Sequence, residues 1–199
     1  MPEFKKKIYG IDVPSVCNLK RNSNGKPMIK IFDRTVENLN NLGIPQTRII
    51  GFSDCNFQYY VDNIKHYKNL IRSGLIIEMP AGIKADKAII AYCLKHEDAV
   101  YISQDLFREY YKYLPYNEWI LERRICLVLV NDELFLIPMA DEVNKKPIKE
   151  KEYPKGYTLK SLEFKKKKKP NKDTYRTTID VLQNIEETQK DSKWDLFGS

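Results

Sequence analysis

The chain has 199 residues, of which 42% are hydrophobic and 31% charged, and its 34 Lys and Arg against 27 Asp and Glu give a formal net charge of +7. This composition predicts a domain that buries a core of its own and argues against wholesale disorder. The four cysteines lie far apart without a C-x-x-C pair, and there are only two histidines. Neither a disulfide framework nor a zinc cluster is therefore expected.

Membrane insertion is also not expected. The longest apolar runs, such as residues 126–130, are far shorter than the roughly 18 residues that cross a bilayer. The start of the sequence, MPEFKKKIYG, lacks the apolar region of a signal peptide. We therefore expect a cytoplasmic protein of a reducing compartment, with no membrane partner.

Charge divides the chain into three parts. Residues 1–144 carry a net charge of +1, residues 145–176 carry +9, and residues 177–199 carry −3. We interpret these parts as a globular domain, a lysine-rich basic extension, and a short helical or disordered tail. The extension is either a solvated tail or an electrostatic anchor for RNA phosphates. Its candidate RNA-binding residues are Lys165, Lys166, Lys167, Lys168 and Lys169.

Strands and helices alternate along the globular part. Apolar runs typical of buried strands occupy residues 7–13, 48–52, 75–79 and 99–102. Apolar residues recur at helical spacing within residues 29–42, 61–71, 85–95 and 106–113. Two further strands, 125–130 and 133–137, flank the turn pair Asn131 and Asp132. This order predicts an α/β fold with a mainly parallel sheet, helices on both faces, and a C-terminal hairpin.

Acidic residues follow the predicted strands. Asp12, Asp54 and Asp105 each come at a strand end, and Asp86 starts the helix after the third strand. Because parallel strands end on the same rim, these carboxylates should meet in one crevice. Glu109 follows Asp105 by one predicted helical turn. A single aspartate at such a position is usually only a helix cap or a turn former, but four or five on one rim indicate a site.

The chemistry of such a cluster favours a hard cation. Neighbouring carboxylates repel each other unless they are protonated or neutralised. An all-oxygen site without thiolates suits Mg²⁺ or Mn²⁺, and such an ion activates water for attack on a phosphodiester. The sequence therefore predicts phosphodiester hydrolysis.

Five stretches of the sequence carry a family resemblance: IYGIDVPSV, GFSDCNFQYYVDN, IEMPAGIKADKAII, AVYISQDLFREY and WILERRICLVLVNDELFLIP. They resemble the PIN-like nuclease domain of the NYN type, most closely the Regnase-like endoribonucleases. The resemblance spans roughly residues 7–138. It implies a metal-dependent endoribonuclease on a parallel α/β sheet, with RNA as its partner, single-stranded or in loops, and a homodimer as a candidate state.

The resemblance also assigns residues. Asp12, Asp86 and Asp105 fall on the family's metal-binding and catalytic acids, and Glu109 falls on a fourth catalytic acid. Asp54, Ser15 and Ser103 are further candidates for contact with metal or substrate. Lys84 and Lys87, which flank Asp86, are candidates for contact with RNA phosphates.

The sequence departs from the family in ways that leave a second function open. Val13 and Pro14 replace a Gly-Ser pair, Ser15 replaces an asparagine, and Gln104 replaces the asparagine before Asp105. No CCCH zinc finger is present in the sequence. These changes make an RNA-binding module with a decayed nuclease site the main alternative.

Two further hypotheses concern other parts of the chain. Strand-end aspartates at 12 and 54 are also typical of a phosphoacceptor receiver domain, although no lysine ends the fifth strand. The tail contains Ile179, Leu182 and Ile185 at helical spacing, and it could dock on a protein partner or on the body of the protein.

Overall fold

The structure is a computed structural model, and it describes residues 7–116 and 118–139. One sheet of six strands organises the fold. The strands are β1 (Ile8–Asp12), β2 (Ile49–Ser53), β3 (Ile76–Glu78), β4 (Ala99–Ile102), β5 (Arg124–Val130) and β6 (Glu133–Pro138). Their order is β3-β2-β1-β4-β5-β6; all neighbours pair in parallel except β5 and β6, which are antiparallel. The prediction of a mainly parallel sheet with a terminal hairpin is confirmed.

Within the described residues, five α-helices connect and flank the strands. They are α1 (Val13–Cys17), α2 (Lys30–Asn41), α3 (Ile64–Arg72), α4 (Ala85–Lys95) and α5 (Trp119–Arg123). Short 3₁₀ turns occupy Gln46–Arg48, Phe57–Tyr59 and Arg108–Tyr113. The predicted helices over 29–42, 61–71 and 85–95 correspond to α2, α3 and α4. The sequence analysis did not predict α1 or α5, since each is only five residues long.

Both faces of the sheet are buried at β1, β2 and β4, which explains the continuous apolar runs of these strands. In β4, Ala99 and Tyr101 enter the core cluster that contains α4 and α5. Val100 and Ile102 point the other way, into the cluster formed with α1, α2 and α3. Alternating side chains of a central strand therefore support opposite layers of the molecule.

The predicted helix over residues 106–113 is wrong. Phe107 has a left-handed backbone with φ of 48°, and only a 3₁₀ turn from Arg108 to Tyr113 follows. The Asp105 side chain accepts a hydrogen bond from the backbone N–H of Phe107 at 3.0 Å. This local bond competes with helix formation. The buried Phe107 ring, which stacks on Tyr101 at 5.1 Å between ring centroids, holds the turn in place.

The hairpin turn has the expected chemistry. Asn131 and Asp132 both have positive φ, at 48° and 64°. Two-residue hairpin loops with two positive φ values match the twist of their strands, and Asn and Asp tolerate that conformation. Val130 therefore pairs directly with Glu133.

Strand order excludes the receiver hypothesis. Receiver domains have the order 2-1-3-4-5, whereas this sheet has 3-2-1-4-5 followed by the antiparallel strand. In this arrangement the connections diverge on either side of β1 and β4, and a crevice opens outside the carboxyl ends of these two strands. Among the described residues, no helix has the length and apolar character needed to cross a membrane.

The proposed basic extension and tail lie outside the described residues. The same is true of the domain boundary near residue 145. These interpretations therefore stay predictions.

Candidate active site

A cleft of about 470 Å³ lies at the crevice beyond the ends of β1 and β4. It brings together four of the predicted acids, Asp12, Asp54, Asp86 and Asp105, from four separate segments of the chain. The remaining lining residues are Pro14, Ser15, Asn18 and Gln104. The sequence prediction that these aspartates share one rim agrees with this geometry.

Asp12 is the deepest of the four acids, with only 4% of its surface exposed. One carboxylate oxygen, Oδ2, accepts a hydrogen bond from Ser103 Oγ at 2.7 Å, and Oδ1 accepts one from the backbone N–H of Ser15 at 3.2 Å. The pKa of Asp12 is raised to about 7, chiefly by burial and to a smaller extent by the negative charges of Asp86 and Asp54. The hydrogen bonds from Ser103 and Ser15 oppose this shift.

Asp86 lies in the first turn of α4 and faces the same cleft. Burial raises its pKa to about 6, and the nearby charges of Asp54, Asp105 and Glu109 act in the same direction. Lys84 lowers the pKa of Asp86 but does not cancel the shift. Asp12 and Asp86 are therefore costly to ionise while no cation is close to them.

Asp54 has a structural role that the sequence did not reveal. Its Oδ1 accepts a hydrogen bond from the backbone N–H of Ala85 at 2.8 Å. Ala85 is the first residue of α4, and Lys84 at the cap position makes no side-chain capping bond. Asp54 therefore satisfies a free N–H at the start of α4 and fixes the helix that carries Asp86.

Asp105 and Glu109 are more exposed than Asp12. The backbone N–H of Asp105 donates to Ser103 Oγ at 3.0 Å, so Ser103 links Asp105 to Asp12. Glu109 does not line the cleft, because the expected helical turn from Asp105 is absent. Its charge nevertheless acts on Asp86 and on the hydroxyl of Tyr110, whose pKa is raised mainly by burial.

The two substituted positions, Ser15 and Gln104, bond to each other. The backbone N–H of Gln104 donates to Ser15 Oγ at 2.9 Å, and Ser15 Oγ also lies 3.3 Å from Ser103 Oγ. The side-chain amide of Gln104 donates to the carbonyl of Leu127 in β5. These residues therefore tie α1, the end of β4 and β5 together next to Asp12.

Asn18 is a cleft residue that the sequence analysis missed. It directly follows α1, where its side-chain amide donates to the carbonyl of Pro14 at 2.8 Å. A prediction of α1 would have placed it near Asp12. The only signal was Pro14, which suits the first turn of a helix as well as a strand end.

The lysines predicted to contact RNA near Asp86 do not line the cleft. Lys84 is exposed at the cap of α4. Lys87 is only 8% exposed, and burial lowers its pKa to about 8. RNA contact by Lys84 or Lys87 stays a prediction, and Lys165 to Lys169 lie outside the described residues.

The oxygen donors of the cleft suit a hydrated divalent ion. Within residues 7–116 and 118–139, no three His, Cys, Asp or Glu side chains are placed so that they could hold an ion together. Mg²⁺, however, usually keeps several waters and takes only one or two protein carboxylates directly. Four carboxylates around one cleft, two of them with raised pKa values, fit a hydrated ion of this kind.

Comparison with known proteins supports the fold. No family model and no curated protein matches the chain. Two solved structures of nuclear protein-only RNase P 2 (PRORP2) from Arabidopsis thaliana are similar to it. The first aligns with 67% of this chain and 30% of the plant chain, at 13% identity and a TM-score of 0.51. The second aligns with 70% and 32%, at 12% identity and a TM-score of 0.55.

The fold, mixed α/β with a mostly parallel six-stranded sheet, is consistent with a PIN-like fold. The alignment spans about a third of the length of the plant protein. At this identity it shows the shared fold alone, and it does not single out the Regnase-like group.

Proposed function

We propose that this protein is a metal-dependent endoribonuclease that hydrolyses RNA phosphodiester bonds with Mg²⁺ or Mn²⁺. The observation that carries the proposal is the convergence of Asp12, Asp54, Asp86 and Asp105 on one cleft. Two of these acids have pKa values raised by burial and by the charges of the others.

The free energy needed to ionise Asp12 and Asp86 favours binding of a cation in the cleft. For Asp12, a shift from 3.8 to about 7 corresponds to about 4 kcal/mol of unfavourable free energy for the ionised form. Asp86 adds a smaller cost, because water reaches part of its side chain. A divalent cation would offset these costs directly.

In the proposed mechanism, Asp12, Asp86 and Asp105 would hold a hydrated ion, with some of these contacts made through its waters. When bound, the ion supplies a more acidic water and stabilises negative charge on the phosphodiester. Ser103 and the backbone of Ser15 keep the Asp12 carboxylate in one orientation, and Asp54 fixes the start of α4. The role expected for Glu109, orienting the attacking water or aiding a second ion, stays a prediction, because Glu109 does not line the cleft.

The similarity in fold to an RNase P protein supports RNA as the substrate. A closer relation to the Regnase-like group, and RNA that is single-stranded or in loops, are parts of the proposal. A cytoplasmic location, a homodimer and a protein partner for residues 177–199 stay predictions.

One observation favours the second candidate, an RNA-binding module without cleavage. In the part of the chain that the structure describes, no three acids are arranged to hold an ion directly. The Gln104 amide also bonds to Leu127 and is used for structure. Metal-independent RNA binding without cleavage would support this candidate.

The test is cleavage of a labelled single-stranded RNA in Mg²⁺ or Mn²⁺, with EDTA as the negative condition. Asp105→Asn should lower the rate by at least tenfold. Asp98→Asn is the matched control, since Asp98 directly precedes β4 at the opposite end of the sheet. The proposal fails if the wild-type protein does not cut, or if both variants cut at the wild-type rate.

A further inference from the structure

A second cleft, of about 270 Å³, lies beside the hairpin tip. Its charged lining consists of three cations and one carboxylate: Lys20, Lys30, Arg34 and Asp132. Met28 and Ile31 complete the lining. We call this the basic pocket, and its positive balance contrasts with the four aspartates of the first cleft.

The fold builds the basic pocket from three segments. Lys20 lies in the loop after α1, Lys30 and Arg34 lie in the first two turns of α2, and Asp132 lies at the turn between β5 and β6. Lys20 forms an ion pair with the Asp132 carboxylate, and Arg34 donates to the Asp132 carbonyl. The pocket is thus held together by contacts across more than 90 residues of sequence.

The loop that carries Lys20 is itself fixed. The backbone N–H of Met28 donates to the carbonyls of Cys17 and Lys20, at 3.2 and 3.0 Å. Arg21 and Pro27 form an isolated β-bridge across the same loop. The backbone that carries Lys20 is therefore held in place by hydrogen bonds within its own loop.

The electrostatics of the pocket favour an anion. Lys20, by its hydrogen bond and its charge, lowers the pKa of Asp132, and Arg34 and Lys30 lower it further. All three cations therefore act on the same small region. A single carboxylate leaves a net positive charge there at neutral pH.

The first cleft, which we call the acidic cleft after its four aspartates, lies near the basic pocket at the edge of the sheet where the parallel strands end. Asn18 lines the acidic cleft, and Lys20, two residues later, lines the basic pocket. Ile125 in β5 pairs with Ile102 at the end of β4, and β5 continues to Val130. At about 3.4 Å per residue, the hairpin extends roughly 17 Å beyond that rim.

We propose that the basic pocket binds a backbone phosphate of the RNA, next to the acidic cleft. This inference rests on the proposed function, because it takes RNA as the ligand. Four clustered carboxylates repel an RNA strand, so the strand needs cations outside the cleft to hold it. The forked guanidinium of Arg34 and the ammonium groups of Lys20 and Lys30 match the oxygens of a phosphate.

The experiment measures binding of a fluorescent single-stranded RNA to the full-length protein by anisotropy, in EDTA so that metal-dependent cleavage is absent. Lys30→Gln and Arg34→Gln should each weaken binding by about 3- to 10-fold at low salt. Each should also reduce the slope of log K against log salt by about 0.7, the value for one lost contact with a single strand. Lys68→Gln, on the exposed side of α3 near the opposite edge of the sheet, is the matched control.

Asp132→Asn gives a test of opposite sign. It removes the one carboxylate of the pocket, while asparagine still tolerates the positive φ of the turn. RNA binding should then tighten by about 2- to 5-fold. A purely structural role for the Lys20–Asp132 pair would instead leave RNA binding unchanged or weaken it. Circular dichroism and the melting temperature show whether each variant folds.

The proposal is overturned if wild-type protein does not bind the RNA, if Lys30→Gln and Arg34→Gln match Lys68→Gln, or if Asp132→Asn does not tighten binding. A pocket for free phosphate would show itself differently: the variants would lose binding of inorganic phosphate and keep wild-type RNA affinity. Failure of the nuclease proposal is distinguishable, because it leaves binding intact and removes only metal-dependent cleavage.

Discussion

Substituting Asp12 by asparagine should stabilise the metal-free protein. In the folded state the pKa of Asp12 is raised from 3.8 to about 7, chiefly by burial. At pH 8, ionised Asp12 therefore costs about 4 kcal/mol, at 1.36 kcal/mol per pKa unit. Asparagine is neutral and has nearly the same shape, so it avoids this cost.

The hydrogen bonds around Asp12 can adapt to the change. An asparagine oxygen can still accept from the N–H of Ser15. Its NH₂ group can donate to Ser103 Oγ, whose own proton can turn toward Ser15 Oγ at 3.3 Å. We therefore expect a net stabilisation of about 2–4 kcal/mol at pH 8.

The effect should depend on pH with a definite sign. Because the folded-state pKa of Asp12 lies above its unfolded value, the folded protein binds more protons between pH 3.8 and about 7. The stability gained from protonated Asp12 in the folded protein is fully present below pH 3.8 and is lost as the pH rises through about 7. The advantage of Asp12→Asn should accordingly be about 3 kcal/mol larger at pH 8 than at pH 5.

Urea unfolding in EDTA at these two pH values measures the effect, with circular dichroism as the signal. Adding Mg²⁺ at pH 8 should stabilise the wild-type protein and not the variant. A variant that is less stable than wild type at pH 8, with the same difference at pH 5, would refute the account of Asp12.

Two further predictions concern stability. Gly51→Ala should lower the free energy of unfolding in urea by about 1–3 kcal/mol, because a Cβ there would lie 2.9–3.0 Å from the side chains of Phe32, Val13 and Ile76. Gly10→Ala should lower it less, since the nearest contact of its Cβ would be at 3.4 Å. Equal losses of stability in the two variants would contradict this account of the packing. Asp54→Ala should be about 1 kcal/mol less stable than Asp54→Asn. Both variants remove the charge, but only asparagine keeps an oxygen that accepts from the first N–H of α4. If the two variants were equally stable, the hydrogen bond from Ala85 to Asp54 would contribute nothing to stability.

Much of the fold could be predicted, because the spacing of apolar residues over a long segment indicates which face of a helix or strand is buried. The periodicity over residues 85–95 and the apolar run at 99–102 matched α4 and β4 at both ends. The helices α1 and α5 could not be predicted, because five residues span less than two helical turns and the apolar spacing does not repeat. The turn at Phe107 depends on a bond to Asp105 and on a ring buried in the core, which no local pattern shows.

The part of the site that could be predicted is the part whose position follows from the sheet topology alone. Asp12 and Asp105 follow parallel strands, and any such sheet brings strand ends to one rim. The capping role of Asp54 was not predictable, because Ala85 is 31 residues away and meets it only in the folded protein. The basic pocket was hidden for the same reason, since Lys20 and Arg34 meet Asp132 only through the hairpin.

The most direct test of the central claim is anomalous diffraction from crystals soaked in Mn²⁺. The account predicts a manganese peak in the acidic cleft, within ligand or water-bridged distance of Asp12, Asp86 and Asp105, and no such peak in Asp12→Asn crystals. An empty cleft in well-diffracting wild-type crystals, or a peak that persists unchanged in the variant, would contradict it.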